Sequence, residues 1–460
     1  MKYITYVILV FLAVGCEKSN KNAATYFGGQ IINPKTNYVL FLKGEKVIDT
    51  LMLDKSNRFL KKIPSLDGGL YTFKHGNEFQ YIYLEPSDSV LVRLNTWDFD
   101  KSLVFSGKGS TKNEFLINLF LENGKEEMMM YHYFDLDEQD FQAKIDSLSK
   151  ERFAVYNDFF ANEPAMSKGF EEFTNTAIQF PLYRLKEVYP YYHKGILGLK
   201  KFPEVSDTFY DFRKSISLNE ENLVAFYPYQ NYVVSYLYNI SNQLKEDDST
   251  KNDITVNTLN AVNEHIKDEK FKNILLKRIL VSDFLKNESA CHFNENALSI
   301  FLTTCTNKEY VEQITNLVND CNNVPQNEPL HDFNIVSYNN IPLTINEVIK
   351  NRNAVIYFWS TDYMSSDYLV SRVKFLEKRY PDLLFIGINM QTSPQDFTKE
   401  SNLKLLDINN QYMLSEDSYA HNYLSSKYPR TMIIDDAGIV KNGFTNLDSK
   451  KLDSELYKLN

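Results

Sequence analysis

The hydrophobic periodicity of this chain changes twice, and that limits its fold more than any single motif. From Tyr26 to Phe105, short β-rich runs (Tyr38-Val39-Leu40-Phe41-Leu42, Tyr81-Ile82-Tyr83-Leu84, Val90-Leu91-Val92-Arg93-Leu94) alternate with turn signals such as Asn33-Pro34, Asp67-Gly68-Gly69 and Glu85-Pro86-Ser87-Asp88. Turns so closely spaced predict an all-β sandwich or barrel-like module over residues 26–109. From Asn113 to about Val324 the apolar residues recur at three and four, as in Phe271, Ile274, Leu275, Ile279 and in Tyr232, Val233, Tyr236, Leu237. That spacing predicts a central all-α domain over 110–326, punctuated by Pro164, Pro181, Pro190, Pro203 and Pro228 and by a solvated loop at Glu246–Thr250. Beyond Pro325 strands and helices alternate, which predicts an α/β domain over 327–460. Three domains suit 460 residues at roughly 150 residues each.

Charge excludes one class of partner. Fifty Lys and Arg against sixty Asp and Glu leave a net charge of -10, whereas a nucleic-acid-binding surface needs an excess of cations. No nucleic-acid partner is expected. The 32 Phe and 31 Tyr, against 16 Gly and 14 Pro, predict well-filled cores and name no chemistry.

The N-terminus suggests a compartment. Met1 and Lys2 precede an apolar run, Ile4–Val14, about half of the roughly 20 residues that a membrane-spanning helix needs. The run ends in Leu12-Ala13-Val14-Gly15-Cys16, which resembles the lipobox of bacterial lipoproteins. The resemblance implies a signal peptide over 1–15 and lipid modification of Cys16. The expected location is the envelope of a Gram-negative bacterium, with the lipid membrane as partner. The lack of Asp after the cysteine favours the outer membrane, with the facing side open. Residues 16–25, polar and without periodic apolar positions, read as a flexible tether.

In the C-terminal segment, Ala354–Trp359 and Leu383–Ile388 are continuous apolar strands of the kind buried on both faces of a sheet. Between them Leu369, Val373 and Leu376 mark a helix that Ser365 or Ser366 can cap and Pro381 closes, completing a βαβ unit. Tyr357-Phe358-Trp359-Ser360-Thr361, followed by Tyr428-Pro429-Arg430-Thr431-Met432-Ile433-Ile434-Asp435, resembles a TlpA-like thioredoxin domain. In that family an aromatic strand leads into a Cys-x-x-Cys helix start, and a cis-proline precedes a hydrophobic strand. The resemblance spans about residues 328–460 and implies a helix over Asp417–Leu424. The earlier order Val47-Ile48-Asp49-Thr50, Leu84-Glu85-Pro86-Ser87-Asp88, Phe105-Ser106-Gly107-Lys108-Gly109 resembles the β module that precedes such domains in bacterial lipoproteins.

The chemistry of that family does not follow. Aligning Phe358-Trp359 puts Tyr363-Met364-Ser365-Ser366 where the family has Cys-x-x-Cys, and neither a phenol nor a hydroxyl can exchange a disulfide. Cys291, Cys305 and Cys321 are too far apart in sequence for a redox or zinc pair, so they read as buried apolar residues or as one disulfide and one thiol. The seven histidines are scattered and imply no metal, and no cofactor is implied. Ser106-Gly107-Lys108-Gly109-Ser110 lacks the first Gly and the Ser/Thr of a phosphate loop and reads as a domain-edge linker. Asp135, Asp137 and Glu138 read as a solvated face, and Tyr189-Pro190-Tyr191-Tyr192-His193 as packing.

These readings lead to a redox-inactive thioredoxin-like envelope lipoprotein. It would bind an extended peptide or envelope protein in a groove formed by Trp359, Tyr363, Ser366, Tyr428 and Pro429, or scaffold a membrane assembly. Two alternatives stay open: a thiol-disulfide oxidoreductase using a cysteine of the helical domain, and a lipoprotein that binds a small nutrient.

Overall fold

The computed structural model describes residues 24–459, apart from 77, 164, 249, 252, 288–292, 361–365, 391–404, 427–429 and 450. Two compact units are resolved, one comprising the chain up to Met128 with Phe153–Ile178, the other Met129–Arg152 with Gln179–Asn460.

The first unit is built on eight strands: β1 (Thr25–Ile32), β2 (Tyr38–Lys43), β3 (Lys46–Met52), β4 (Arg58–Ile63), β5 (Gly69–His75), β6 (Glu78–Leu84), β7 (Ser89–Asn95) and β8 (Val104–Lys108). They form two four-stranded sheets, ordered β4-β1-β7-β8 and β3-β2-β5-β6. Alternate residues point inward, so Phe27 and Ile31 of one sheet meet Phe41 and Phe73 of the other in a single core. The strands expected between residues 26 and 109 form these two sheets, but the compact unit that holds them also takes in helical residues, up to Met128 and at Phe153–Ile178.

Helices follow: α1 (Ser110–Met130), α2 (Glu138–Asn162) and α3 (Lys168–Leu197), then α4 (Tyr227–Asp247), α5 (Ile254–His265), α6 (Glu269–Asn287), α7 (Glu295–Thr304) and α8 (Lys308–Asn322). One expectation needs correction here. Pro181 and Pro190 do not punctuate the helical region but lie inside α3. Packing of Leu182, Leu185 and Tyr189 into one core holds the helix despite two missing backbone donors. Helices α4 to α8 share a second core in which Tyr232, Val233, Leu237, Phe271, Leu275 and Ile279 are buried, as their spacing predicts.

The C-terminal part contains β9 (Asn334–Ser337), β10 (Pro342–Thr344), α9 (Ile345–Ile349), β11 (Ala354–Trp359), α10 (Ser366–Arg379), β12 (Leu384–Asn389), β13 (Gln411–Leu414), β14 (Arg430–Ile434), β15 (Val440–Thr445) and α11 (Leu452–Tyr457). Its seven-stranded sheet has the order β10-β9-β13-β12-β11-β14-β15. β11 is central, parallel to β12 and antiparallel to β14, which pairs with β15. Every residue of β11 and β12 is buried because both faces are covered. Val355, Tyr357 and Trp359 pack under α10 and α11, while Ile356 and Phe358 face the opposite layer with Phe333 and Tyr423. This βαβ unit followed by a β-hairpin and a helix is a thioredoxin-like arrangement. The predicted helix over Asp417–Leu424 shrinks to a single 3-10 segment, Tyr419–Tyr423. Its last carbonyl, Tyr423 O, accepts from Arg430 Nη1 at 2.6 Å, so a side chain occupies the acceptor that a longer helix would use.

Candidate functional site

Parallel strands present chemistry at their carboxyl ends, and here those ends carry Trp359 and Asn389, side by side in register. Trp359 is 3% exposed and packs with Leu369 and Val373 of α10, so its indole supports the mouth of the sheet from beneath. Met390 N–H donates to Trp359 O at 2.9 Å, extending the pairing one residue past the strands. Ser366 opens α10. Its side chain, and Tyr363, Tyr428 and Pro429 altogether, lie outside the described residues, as do Cys16 and Cys291.

Next to the proline position the sequence reading missed a buried polar junction. Arg430, 1% exposed, donates from Nε to Gly443 O (2.6 Å), from Nη1 to Tyr423 O (2.6 Å) and from Nη2 to the backbone carbonyl of Asp320 (2.9 Å). Its guanidinium lies 4.9 Å from the Phe444 ring centroid and 5.5 Å from that of Tyr423, in cation–π range. Asp320, near the end of α8, is equally buried. Its carboxylate accepts from Ser425 N (2.9 Å), Ser425 Oγ (2.6 Å) and Ser426 N (2.8 Å). The last helix of the helical region thereby holds both sides of the 427–429 segment.

Below the sheet, Gln411 Nε2 donates to the Tyr357 hydroxyl at 2.8 Å, and burial pushes that phenol far above its ordinary range. Gly387 leaves the space these groups need, since a Cβ there would stand 2.1 Å from Gln411 Oε1.

The two described cysteines, Cys305 and Cys321, are buried. Cys321 lies in an apolar cluster with Phe284, Leu317 and Phe444, and Cys305 in the core of α4 to α8. Burial raises the Cys305 thiol pKa, opposite to what a reactive thiolate requires. Among the described residues no group of three His, Cys, Asp or Glu side chains is placed to hold a metal ion. No described helix is long and apolar enough to cross a membrane.

In the β module the Glu85-Pro86-Ser87-Asp88 turn has a structural purpose. Lys112 of α1 donates to Glu85 Oε2 (2.6 Å) and Asp88 Oδ2 (2.7 Å), and Asn113 accepts from Tyr83 N (2.7 Å) and donates to Tyr83 O (3.0 Å). The Ser106–Ser110 stretch is the end of β8 and the start of α1, joined through Gly109. Gly109 has φ +91°, and a Cβ there would lie 2.6 Å from the Asp88 carboxyl carbon, so only glycine fits.

No family model and no curated protein matches the chain. Among solved structures, a putative thiol-disulfide oxidoreductase from Bacteroides vulgatus is 17% identical, covering 30% of this chain and 98% of its own, with a TM-score of 0.26. A putative thiol:disulfide interchange protein DsbE from Chlorobium tepidum is 13% identical over 30% of this chain and 98% of its own, with a TM-score of 0.25. A thiol-disulfide oxidoreductase from Bacteroides fragilis NCTC 9343 is 15% identical over 29% of this chain and 100% of its own, also at 0.25. The thioredoxin-like fold assigned here rests on strand order and connection.

Proposed function

We propose that this chain is a membrane-tethered, redox-inactive thioredoxin-like protein that docks an extended polypeptide at the mouth of its seven-stranded sheet. The observation that carries the reading is that neither the aligned redox positions nor the described cysteines offer a reactive sulfur. Positions 363 and 366 are Tyr and Ser, and both described cysteines are buried among apolar side chains. Disulfide exchange needs an accessible thiolate and a resolving sulfur. What remains is a sheet end at Trp359, where an extended peptide can pair with backbone groups, and the family resemblance would have Tyr363, Ser366, Tyr428 and Pro429 complete the groove. Lipid on Cys16 would hold the protein in the envelope of a Gram-negative cell, where the partner is another envelope protein.

Insulin reduction tests the redox half of the reading, with turnover expected at background. Activity lost on Cys305→Ser, Cys321→Ser or Cys291→Ser would replace it with an oxidoreductase that uses a helical-domain cysteine. Photocrosslinking from position 363 in intact cells tests the docking half. A discrete protein adduct is expected, and a purified protein carrying only a small molecule would favour a nutrient-binding role.

A further inference from the structure

The outer face of the β4-β1-β7-β8 sheet stands apart from the rest of this acidic chain. Residues directly paired across strands share a face, so register gives its rows. The central row is Leu60, Gly28, Leu91, Ser106. On one side of it runs Arg58, Gln30, Arg93, Val104, and on the other Lys62, Tyr26, Ser89, Lys108. These three rows hold four cations and no acid, in a chain whose net charge is -10. Arg58, Lys62, Arg93 and Lys108 are exposed, and none forms an ion pair among the described residues.

The middle of the face is apolar and open to solvent. Leu60 is 66% exposed, Val104 57% and Leu91 41%. A Cβ on Gly28 would lie 2.8 Å from Leu60 Cδ1, so the glycine lets Leu60 lie over β1 toward Leu91. A shallow groove of about 530 Å³ runs beside these leucines, with Met52 and Asp54 at its rim. Just past Asn95, at the end of β7, Trp97 is 74% exposed. Exposed aliphatic side chains set among Lys and Arg, with an aromatic at the border, are the composition of a surface that lies on a bilayer.

We propose that this face is a contact surface for a membrane bearing anionic lipid headgroups, with Leu60, Leu91 and Val104 entering the interface among Arg58, Lys62, Arg93 and Lys108. Two observations favour a bilayer over a protein occupant. A second copy docking through the same patch on a twofold axis would set these cations against themselves. The site of the expected lipid, Cys16, is nine residue steps from Thr25, roughly 30 Å at full extension, so an anchored chain keeps this sheet within reach of the bilayer. That second argument rests on the lipoprotein reading; the charge argument does not.

The test uses the chain from residue 16 onward with Cys16→Ser, which contains every described residue and carries no lipid. It should cosediment with phosphatidylglycerol–phosphatidylethanolamine vesicles and not with phosphatidylcholine vesicles, with affinity falling as salt rises. Each of Arg58→Gln, Lys62→Gln and Arg93→Gln should weaken binding roughly five-fold. Leu60→Ser with Leu91→Ser should weaken it at unchanged salt dependence. Equal binding to both vesicle types, no binding, or indifference to these substitutions overturns the proposal, as would dimerisation in solution abolished by Leu60→Ser without vesicle binding. Fatty-acid labelling of the full chain in cells, lost on Cys16→Ser, separately tests the tether, so failure of the lipid anchor and failure of this face are told apart.

Discussion

The backbone carbonyl of Asp320 accepts a hydrogen bond from Arg430 Nη2 at 2.9 Å, joining the end of α8 to the first residue of β14. The Asp320 carboxylate meanwhile holds Ser425 and Ser426 on the other side of the segment that contains Pro429. Asp320→Ala would remove the acceptor of two backbone N–H groups and a hydroxyl at the exposed Ser425 and half-buried Ser426, at about 0.5–1.5 kcal/mol for each hydrogen bond exchanged for one to water. An overall loss near 3 kcal/mol is therefore expected in urea denaturation, and Asp320→Asn, which keeps one acceptor, should recover a substantial part of it. Crosslinking from position 363 should fall in parallel, because the docking edge loses its support. A stability loss below 1 kcal/mol on Asp320→Ala would show that the junction is incidental.

Lys112 is the cationic centre of the β module. With its side chain 5% exposed and that of Asp88 7%, the pair is desolvated, and removing one partner leaves a buried charge alone. Lys112→Met should destabilise the module by about 3–5 kcal/mol. Lys112→Met with Asp88→Asn should be milder than Lys112→Met alone, since no isolated carboxylate remains at Asp88. Thermal unfolding of the two variants beside the unaltered protein gives the order directly.

His75 supplies a pH dependence. It is 2% exposed, its Nε2 accepts from Lys35 N–H at 2.9 Å, and Nδ1 faces Tyr38 O at 2.9 Å, an arrangement that suits the neutral ring protonated on Nδ1. Burial is the main cause that lowers its pKa from 6.5, with Lys35 adding to it and the Tyr38 carbonyl opposing. The unfolded chain therefore takes up the proton first. The stabilisation is fully present above about pH 6.5 and is lost as pH falls through the lower folded value. The midpoint of module unfolding should drop between neutral pH and about pH 5, and His75→Gln should flatten that slope. A slope unchanged in the variant would assign the effect to carboxylates.

How much of this was legible in the sequence depends on whether a feature is local. β11 and β12 were readable because continuous apolar runs, Ala354–Trp359 and Leu383–Ile388, fit a strand buried on both faces. The α6 face was readable because Phe271, Leu275 and Ile279 keep helical spacing. The Asp320 junction was not: its partners are 105 to 110 residues away, and an aspartate on an amphipathic helix ordinarily reads as solvated. Arg430 was visible as a residue following a proline. Its three described acceptors, however, are backbone carbonyls, which carry no signal in residue type. The prolines of α3 misled for the complementary reason, since tertiary packing overrode a strong local preference.

Gly387 offers a test of how tightly the sheet is packed above the Tyr357–Gln411 pair. A methyl group there would stand 2.1 Å from Gln411 Oε1 and 2.7 Å from Tyr357 Oη, well inside contact distance, and the residue is central in β12 with neighbours on both sides. Gly387→Ala should cost about 1–3 kcal/mol through overpacking. If the clash is the cause, shortening the obstructing side chain relieves it, so adding Gln411→Ser should return part of the loss even though it removes the bond to Tyr357. Urea denaturation of the single and double variants decides the matter. A double variant less stable than the sum of the two single changes would show that the hydrogen bond, and not the space beneath Gly387, fixes this part of the sheet.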